Sequence, residues 1–401
     1  MTPLTRTSSR IVPVRTKLLR SATLRAKRAP TSPVIRGIGV AVPENAILQH
    51  EAAAVAADLI ASDERAKRAI ATLYRRSGVT SRQCAILDPP VEGQPATQKF
   101  FPRRASPADC GPSTGTRMAA YEQSATRLAL GAARDALTAS GLPAERITHI
   151  VSATCTGFSA PGFDLGLIEQ LPLSRGVQRT QVGFMGCHAG LNALRVAQAY
   201  CKADANANVL VCATEICSLH FQYSEQPQTI VSNALFADGA AAVVVSSDRG
   251  ERSPYGDGDG EAWRLADHAS FVLPNSADLM SWRIGDHGFE MTLSPRLPDL
   301  IAVRLAPWVD DWLAKHGLSR EDVPSWAIHP GGRRILAAAA ESLQLTPEQQ
   351  APSEKILRDF GNMSSPTVLF ILRELQRNRA ERPAVMLAFG PGITIEAALV
   401  R

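Results

Sequence analysis

The sequence lacks any apolar run long enough to cross a membrane. A membrane-spanning helix needs about 18 or more consecutive apolar residues, and no stretch of the 401 residues approaches that length. Hydrophobic residues still make up 45% of the chain, which is enough to bury a large core in one or two domains. We therefore expect a soluble protein with no membrane span.

Paired cysteines and metal-ligand spacings are also lacking. The seven cysteines are an odd number and include no CxxC pair, which argues against a disulfide framework and for a reducing compartment. The eight histidines are scattered, and no His/Cys/Asp cluster has ligand spacing. We therefore predict a cytoplasmic protein without a metal site.

Acidic residues are absent from the first 30 positions, which hold eight Lys or Arg. Because the whole chain has a net charge of +5, the remainder carries about −3. The positive charge belongs to a tail, and we expect a disordered basic extension over residues 1–33. No aromatic residues are interleaved with these basic ones, so nucleic-acid binding is not predicted.

The rest of the chain alternates predicted strands and helices in two halves, 34–248 and 261–401. A polar, glycine-rich segment at 248–260 is typical of a surface connection between them. This alternation predicts an α/β fold. The predicted strands are 147–154, 209–213, 241–246, 326–329, 384–389 and 393–400, and the predicted helices are 119–140, 300–315, 334–343 and 367–379.

Cys187 follows the end of a predicted strand at 180–183. Leu191, Leu194 and Ala197 then recur at helical spacing, which places Cys187 at a helix N-terminus. Unpaired backbone N–H groups and the positive end of the helix dipole favour a thiolate there, and the thiolate is the nucleophile. Cys187 is therefore a candidate catalytic residue, although a cysteine at a glycine turn is also compatible with simple packing.

Two polar residues also stand at element boundaries, where catalytic groups are commonly displayed. His329 ends a short apolar strand in WAIHPGG (326–332), and Asn362 lies in a turn before a helix in FGNMSSP (360–366). Each is also compatible with a structural role, as a histidine bonded to backbone or as an asparagine in a left-handed turn.

Five motifs in order carry a family resemblance: GFMGCHAG (183–190), LFADGAAAVVV (235–245), WAIHPGG (326–332), FGNMSSP (360–366) and AFGPGITIE (388–396). Together they resemble the type III polyketide synthases, the chalcone synthase-like branch of the thiolase superfamily. The resemblance implies the thiolase-like duplicated αβαβα five-layered fold and a homodimer. The first half would carry Cys187, and the second half would carry His329 and Asn362.

The resemblance also implies a decarboxylative condensation with no bound cofactor. Cys187 would carry the acyl group of an acyl-CoA starter, and His329 would hold the thiolate as an ion pair. Malonyl-CoA would then lose carbon dioxide, and His329 and Asn362 would donate to the enolate oxygen. An acyl carrier protein is another source of the starter that the resemblance leaves open.

The pocket positions implied by the resemblance are mostly small here. Phe236 matches the gatekeeper phenylalanine, while Thr156, Ala160 and Cys217 leave room for an alkyl chain. We therefore expect a medium- or long-chain fatty acyl starter and an alkylresorcinol or alkylpyrone product. Trp282, where many plant members have glycine, favours the resorcinol. The remaining matched positions are Cys155, Met291, Gly390 and Pro391.

Two alternative enzymes share part of this pattern. Cys155 and Cys217 also resemble the bacterial naphthalene-forming members, which prime with malonyl-CoA itself. A ketoacyl-ACP synthase III-like enzyme uses Cys, His and Asn for a single condensation, but its histidine segment is HQAN rather than HPGG (329–332).

The coenzyme A site departs from the plant pattern. The family binds the phosphates of coenzyme A through basic residues at the mouth of its tunnel, and Arg76 matches one of these positions. Ala69 and Thr72 occupy the other two.

Overall fold

The computed structural model describes residues 33–89, 91–247 and 262–401. All but the last residue of the extension predicted at 1–33 lies outside the described residues, as does the connection predicted at 248–260. The described ranges contain thirteen strands and ten α-helices. The strands are β1 Pro33–Ala41, β2 Ala46–Leu48, β3 Ser81–Gln83, β4 His149–Thr154, β5 Gln178–Gly183, β6 Asn208–Ile216, β7 Asp238–Ser247, β8 Trp263–Val272, β9 Met280–Gly285, β10 Gly288–Leu293, β11 Ser325–Ile328, β12 Ala384–Gly390 and β13 Thr394–Val400. The helices are α1 Gln49–Ile60, α2 Glu64–Arg76, α3 Thr114–Ser140, α4 Phe163–Gln170, α5 Ala189–Ala203, α6 Pro227–Leu235, α7 Leu297–Ala314, α8 Arg333–Leu343, α9 Pro347–Phe360 and α10 Thr367–Arg377.

The predicted strands and helices are all present, and they differ from the prediction at their ends. Helix α3 begins earlier than predicted because Ser113 accepts a hydrogen bond from the backbone N–H of Thr116 and so caps the helix. Cys187 lies in a single 3-10 turn, Gly186–His188, directly before α5 rather than within it.

The main sheet repeats one pattern of strand directions in both halves of the chain. Its order is β11-β12-β13-β8-β1-β7-β6-β4-β5. Strand β1 pairs antiparallel with β7, β7 pairs antiparallel with β6, and β6 pairs parallel with β4. In the same order of directions, β8 pairs antiparallel with β13, β13 pairs antiparallel with β12, and β12 pairs parallel with β11. Strands β1 and β8 share only two residue pairs, so the sheet consists of two similar half-sheets joined at one seam.

Alternating side chains on the strands divide the core into layers. Val243 of β7 packs in the cluster that contains α5 and α10, whereas the next residue, Val244, packs with α3. Met386 of β12 likewise faces α5 and α10, and Leu387 faces α7 and α8. The layers therefore run from α3 through one half-sheet, the α5 and α10 pair, and the second half-sheet to α7 and α8. This is the predicted five-layered, thiolase-like α/β fold.

Candidate active site

The turn that carries Cys187 packs against the loop that follows β12. Gly186 has a φ of 76°, and a Cβ added to it would lie 2.5 Å from Cδ of Pro391. A Cβ on Gly390 would lie 2.1 Å from the His188 ring. Contacts this close leave no room for a side chain at either glycine. Gly390 and Pro391 therefore pack directly against the turn that carries Cys187.

His329 directly follows β11 and is fully buried. Its backbone N–H donates to the carbonyl of Leu387 at 2.8 Å, which fixes the residue at the end of the half-sheet. Burial, with a smaller contribution from nearby His188, lowers the pKa of the imidazole to about 3. Neither ring nitrogen has a hydrogen-bond partner among the described residues. A neutral imidazole here offers one N–H donor and one lone pair.

Asn362 is bound to the strand-like segment that carries Phe236. Its N–H donates to Leu235 and its carbonyl accepts from the N–H of Ala237, both at 2.9 Å, so Asn362 forms a β-bridge with Phe236. The Oδ1 atom accepts from the backbone N–H of Ser364 at 2.8 Å. This bond leaves the amide Nδ2 as the available donor.

Burial dominates the charge state of Cys187. The residue keeps some exposed surface, yet desolvation raises the pKa of the thiol to about 11, against hydrogen bonds from Ser364, Asn362 and the backbone that lower it. The backbone at the start of the helix therefore lowers the pKa of Cys187, but desolvation raises it by more. Burial thus favours the uncharged forms of both Cys187 and His329 in this structure, whereas the resemblance implies an ion pair.

Glu215 is a buried acid that the sequence did not mark as functional. Its carboxylate accepts from the hydroxyls of Thr156 at 2.7 Å and Ser365 at 2.5 Å, and from the backbone N–H of Cys155 at 2.9 Å. Burial raises its pKa. The Cys155 sulfur also lies 3.2 Å from the Ser364 hydroxyl. An acid within the apolar run VLVCATEI (209–216) was the available signal, because a buried carboxyl needs polar partners.

A cavity of about 340 Å³ opens beside Phe236. Its wall includes four residues that the sequence assigned to the pocket: Phe236, Cys217, Trp282 and Met291. One face of α1 forms another part of the wall at helical spacing, through Ala52, Val55, Ala56 and Leu59. These four α1 side chains are all apolar, and two of them are alanines.

Trp282 is a rigid part of this wall. It pairs with Met291 across the β9–β10 hairpin, and its indole N–H donates to the carbonyl of Cys155 at 2.7 Å. The indole also meets the rings of His220 and Phe289 edge-on, at centroid distances of 5.4 and 5.8 Å. These contacts hold the ring in one position.

Other predicted pocket residues lie outside the cavity wall. Thr156 donates a hydrogen bond to Glu215, and Ala160 borders a separate, smaller pocket beside Tyr121. Arg76 is exposed at the end of α2. The candidate catalytic residues are also not part of that wall, and Phe236 links them to it: its ring lines the cavity while its backbone pairs with Asn362.

Family models match nearly the whole chain. Residues 20–249 match the N-terminal domain of chalcone and stilbene synthases, and residues 264–401 match the C-terminal domain. This chain belongs to the chalcone and stilbene synthase family. The protein is a type III polyketide synthase, an enzyme of the acyltransferase class, and the resemblance read from its motifs is confirmed.

Individual relatives and a solved structure agree with this assignment. The alpha-pyrone synthesis polyketide synthase-like Pks18 of Mycobacterium tuberculosis is 33% identical, covering 92% of this chain and 91% of that protein. The 1,3,6,8-tetrahydroxynaphthalene synthase of Streptomyces peucetius subsp. caesius is 30% identical, covering 92% of each chain. The crystal structure of PKS-I from the brown alga Ectocarpus siliculosus has a TM-score of 0.85 and 32% identity, covering 94% of this chain and 100% of that one.

Within the described ranges, no group of His, Cys, Asp or Glu could hold a metal ion, and no helix of the synthase is long and apolar enough to span a membrane. All seven cysteines are free.

We expect Cys187 to react with iodoacetamide as a desolvated, protonated thiol rather than as a stabilised thiolate. With a pKa of about 11, the thiolate fraction is about one in 10,000 at pH 7 and grows about tenfold per pH unit. Alkylation at the Cys187 peptide, followed by mass spectrometry with Cys187→Ala as the blank, should therefore accelerate about tenfold per unit between pH 7 and 9. A rate that is already constant above pH 6 would reveal a thiolate–imidazolium pair and contradict the neutral resting state.

Proposed function

We propose that Cys187, His329 and Asn362 are the catalytic residues of this synthase. The supporting observation is that these residues influence one another in a desolvated site: the Asn362 side chain lowers the pKa of the Cys187 thiol, and His188, next to Cys187, lowers the pKa of His329. The synthase would load a medium- or long-chain fatty acyl-CoA, extend it with malonyl-CoA and cyclise the product to an alkylresorcinol or alkylpyrone.

Loading begins with a proton transfer. Because the thiol is protonated and the imidazole is neutral, His329 takes the proton of Cys187 as the sulfur attacks the thioester carbonyl. A new bond forms between the Cys187 sulfur and the acyl carbon, and the bond from that carbon to the sulfur of coenzyme A breaks. The imidazolium then returns its proton to the departing thiolate. A positively charged His329 and a negatively charged sulfur therefore exist only during this loading step.

Extension requires stabilisation of an enolate. When the malonyl thioester loses carbon dioxide, negative charge develops on its thioester oxygen. The His329 N–H and the Asn362 Nδ2 are suited to donate to that oxygen, and backbone bonds already hold both residues in place. Phe236 provides an apolar surface that favours loss of the carboxylate as neutral carbon dioxide.

The cavity beside Phe236 supports the fatty acyl starter. Its apolar α1 face and the small Cys217 side chain leave space for an alkyl chain. The name of the Pks18 relative refers to α-pyrone synthesis, and we propose that the fixed indole of Trp282 sets the ratio of resorcinol to pyrone. The tetrahydroxynaphthalene synthase relative supports a second candidate, a malonyl-primed enzyme. Starter delivery by an acyl carrier protein would use the same loading step.

A cytoplasmic homodimer is the assembly we propose. The free cysteines suit a reducing compartment. Strand β5 is a sheet edge, and close to its end Phe158 and Met185 are 42% and 39% exposed. An open edge beside exposed apolar side chains suits a two-fold contact. Ala160 would then lie near the partner.

Substitution of the three residues should give three distinct phenotypes. Cys187→Ala should form no acyl adduct, His329→Ala should slow both loading and malonyl-CoA decarboxylation, and Asn362→Ala should slow mainly decarboxylation, by about a hundredfold or more. Intact-protein mass spectrometry measures the adduct, and release of labelled carbon dioxide measures decarboxylation.

The matched control for the amide is Asn378→Ala, because Asn378 is exposed just beyond α10. An adduct that persists in Cys187→Ala, or wild-type decarboxylation by Asn362→Ala, would refute the corresponding role.

A larger side chain in the cavity wall should reduce the cavity volume, so the enzyme should prefer starters with shorter acyl chains. Cys217→Phe fills space beside the gate, so its activity should move toward short acyl-CoAs, whereas Cys217→Ser keeps the side-chain volume and should keep the preference. Trp282→Gly should move the products from resorcinol toward pyrone. Product profiles across a ladder of acyl-CoA lengths test both changes, and Ala160→Phe reports on any contribution from the partner subunit.

An unchanged length preference in Cys217→Phe would place the alkyl chain elsewhere. A wild-type enzyme that uses malonyl-CoA alone would instead establish the naphthalene-forming candidate.

We also expect sedimentation at micromolar concentration to show a particle of about twice the 43.0 kDa chain mass. Two acidic residues in place of Phe158 and Met185 should split it, because burying unpaired charge in a contact is costly. Val303→Glu on α7, at a more exposed apolar site, is the control and should stay dimeric. A wild-type monomer would rule out the proposed assembly.

A further inference from the structure

We propose that Arg82, on β3, is a positioning residue for the decarboxylation of malonyl-CoA. Its guanidinium would hold Phe236 and Asn362 in the arrangement that stabilisation of the enolate requires. The proposal rests on the proposed roles of those two residues. Arg82 acts through the chain segments on which they lie and does not contact the reacting atoms.

The guanidinium of Arg82 binds the end of the helix that precedes Phe236. Its Nη1 donates to the carbonyl of Asn233 at 2.7 Å and to the carbonyl of Phe236 at 2.9 Å. Asn233 lies in the last turn of α6, and Phe236 is the residue that ends this helix. Because the last carbonyls of a helix lack partners within it and carry the negative end of its dipole, a cation is favoured there. Arg82 therefore fixes the point where the chain leaves α6.

The neighbouring carbonyls at this helix end have other donors. The carbonyl of Ala234 accepts from the Gln49 side chain at 2.8 Å, and the carbonyl of Leu235 accepts from the N–H of Asn362 at 2.9 Å. A neutral amide such as that of Gln49 is thus sufficient for one carbonyl here. The two N–H groups of one guanidinium nitrogen bond two carbonyls at once, which is a reason for an arginine at position 82.

Strand β3 also contacts the segment that carries Asn362. The hydroxyl of Ser81, next to Arg82, donates to the carbonyl of Asp359 at 3.1 Å. Asp359 lies in the last turn of α9, which ends at Gly361 directly before Asn362. A Cβ on Gly361 would lie 3.5 Å from the Cβ of Arg82. The same strand therefore contacts both sides of the β-bridge between Phe236 and Asn362.

Arg82 is buried although it carries a permanent charge. It is 6% exposed, and its guanidinium lies 5.5 Å from the centre of the Tyr74 ring. In the part of the chain that the structure describes, it forms no ion pair with a carboxylate, and its Nε has no hydrogen-bond partner. Burial of an unpaired cation costs free energy. The two carbonyls and the dipole of α6 offset this cost, so the charge is specific to the helix end at Phe236.

The contacts that hold the other two candidate catalytic residues do not involve β3. His329 is bound through its backbone N–H to Leu387, and the turn that carries Cys187 packs against Pro391. Loss of Arg82 should therefore displace the groups that act on the enolate while it leaves the loading groups in place. Decarboxylation and loading should respond differently.

The test is Arg82→Ala. Its kcat for malonyl-CoA decarboxylation should fall about a hundredfold, which is the typical cost of moving a reacting group by about 1 Å, and its KM should change little. Acyl loading of Cys187, followed by intact-protein mass spectrometry and referred to the folded fraction, should keep the wild-type rate. A merely structural role would lower both rates together.

Chemical rescue tests the role of the charge. Arg82 borders the cavity beside Phe236, so the space left in Arg82→Ala should be open to small solutes. Guanidinium chloride at millimolar concentration should restore part of the decarboxylation rate. Urea at the same concentration is planar and similar in size but uncharged, and it should restore none.

Two further variants provide controls. Arg82→Lys keeps the charge on a side chain that is one atom shorter, so it should show an intermediate loss of decarboxylation. Arg117→Ala is the matched control, because Arg117 is also buried and donates to the carbonyls of Leu219 and Phe221, both at 2.8 Å. Its ratio of decarboxylation to loading should equal that of the wild type.

Wild-type decarboxylation in Arg82→Ala, or in Arg82→Lys if the alanine variant does not fold, would overturn the inference and leave the proposed function intact. An equal loss of loading and decarboxylation, equal rescue by urea, or the same change of ratio in Arg117→Ala would also overturn it. A wild-type enzyme that forms no adduct at Cys187 or does not decarboxylate malonyl-CoA would instead reject the proposed function.

Discussion

A short β-bridge between the two halves of the chain organises the candidate catalytic centre. Asn362, from the second half, exchanges hydrogen bonds with Leu235 and Ala237 of the first half, and Phe236 lies between them. Phe236 and Asn362 are thus fixed to one another by backbone hydrogen bonds rather than by side-chain packing. The support of Gly186 by Pro391 adds a second contact between the halves. Neither half alone can assemble the centre.

Desolvation sets the chemistry that this arrangement can perform. Burial shifts Cys187, Glu215 and His329 toward their neutral forms. A neutral resting site avoids the cost of burying an ion pair, which often exceeds the gain from attraction. In the proposed mechanism, charge develops only as bonds change, and it meets donors that are already oriented.

Local patterns made much of the fold predictable from sequence. Apolar periodicity predicted part of the strands and helices in each half, but not the β9–β10 hairpin or α1. The motifs marked Cys187, His329 and Asn362 as candidate catalytic residues. The charge state of Cys187 could not be predicted, because the helix start is a local feature whereas desolvation depends on packing between both halves. Glu215 was missed for a similar reason: its partner Ser365 lies 150 positions away. The separation of Thr156 from the cavity also depends on this long-range network.

The β9–β10 hairpin forms a two-stranded sheet of its own, separate from the nine-stranded sheet, yet it contributes both Trp282 and Met291 to the cavity. Substitutions in this hairpin can therefore reshape the cavity without disturbing a hydrogen bond of the main sheet. Directed evolution of this enzyme toward other products should therefore begin in the hairpin.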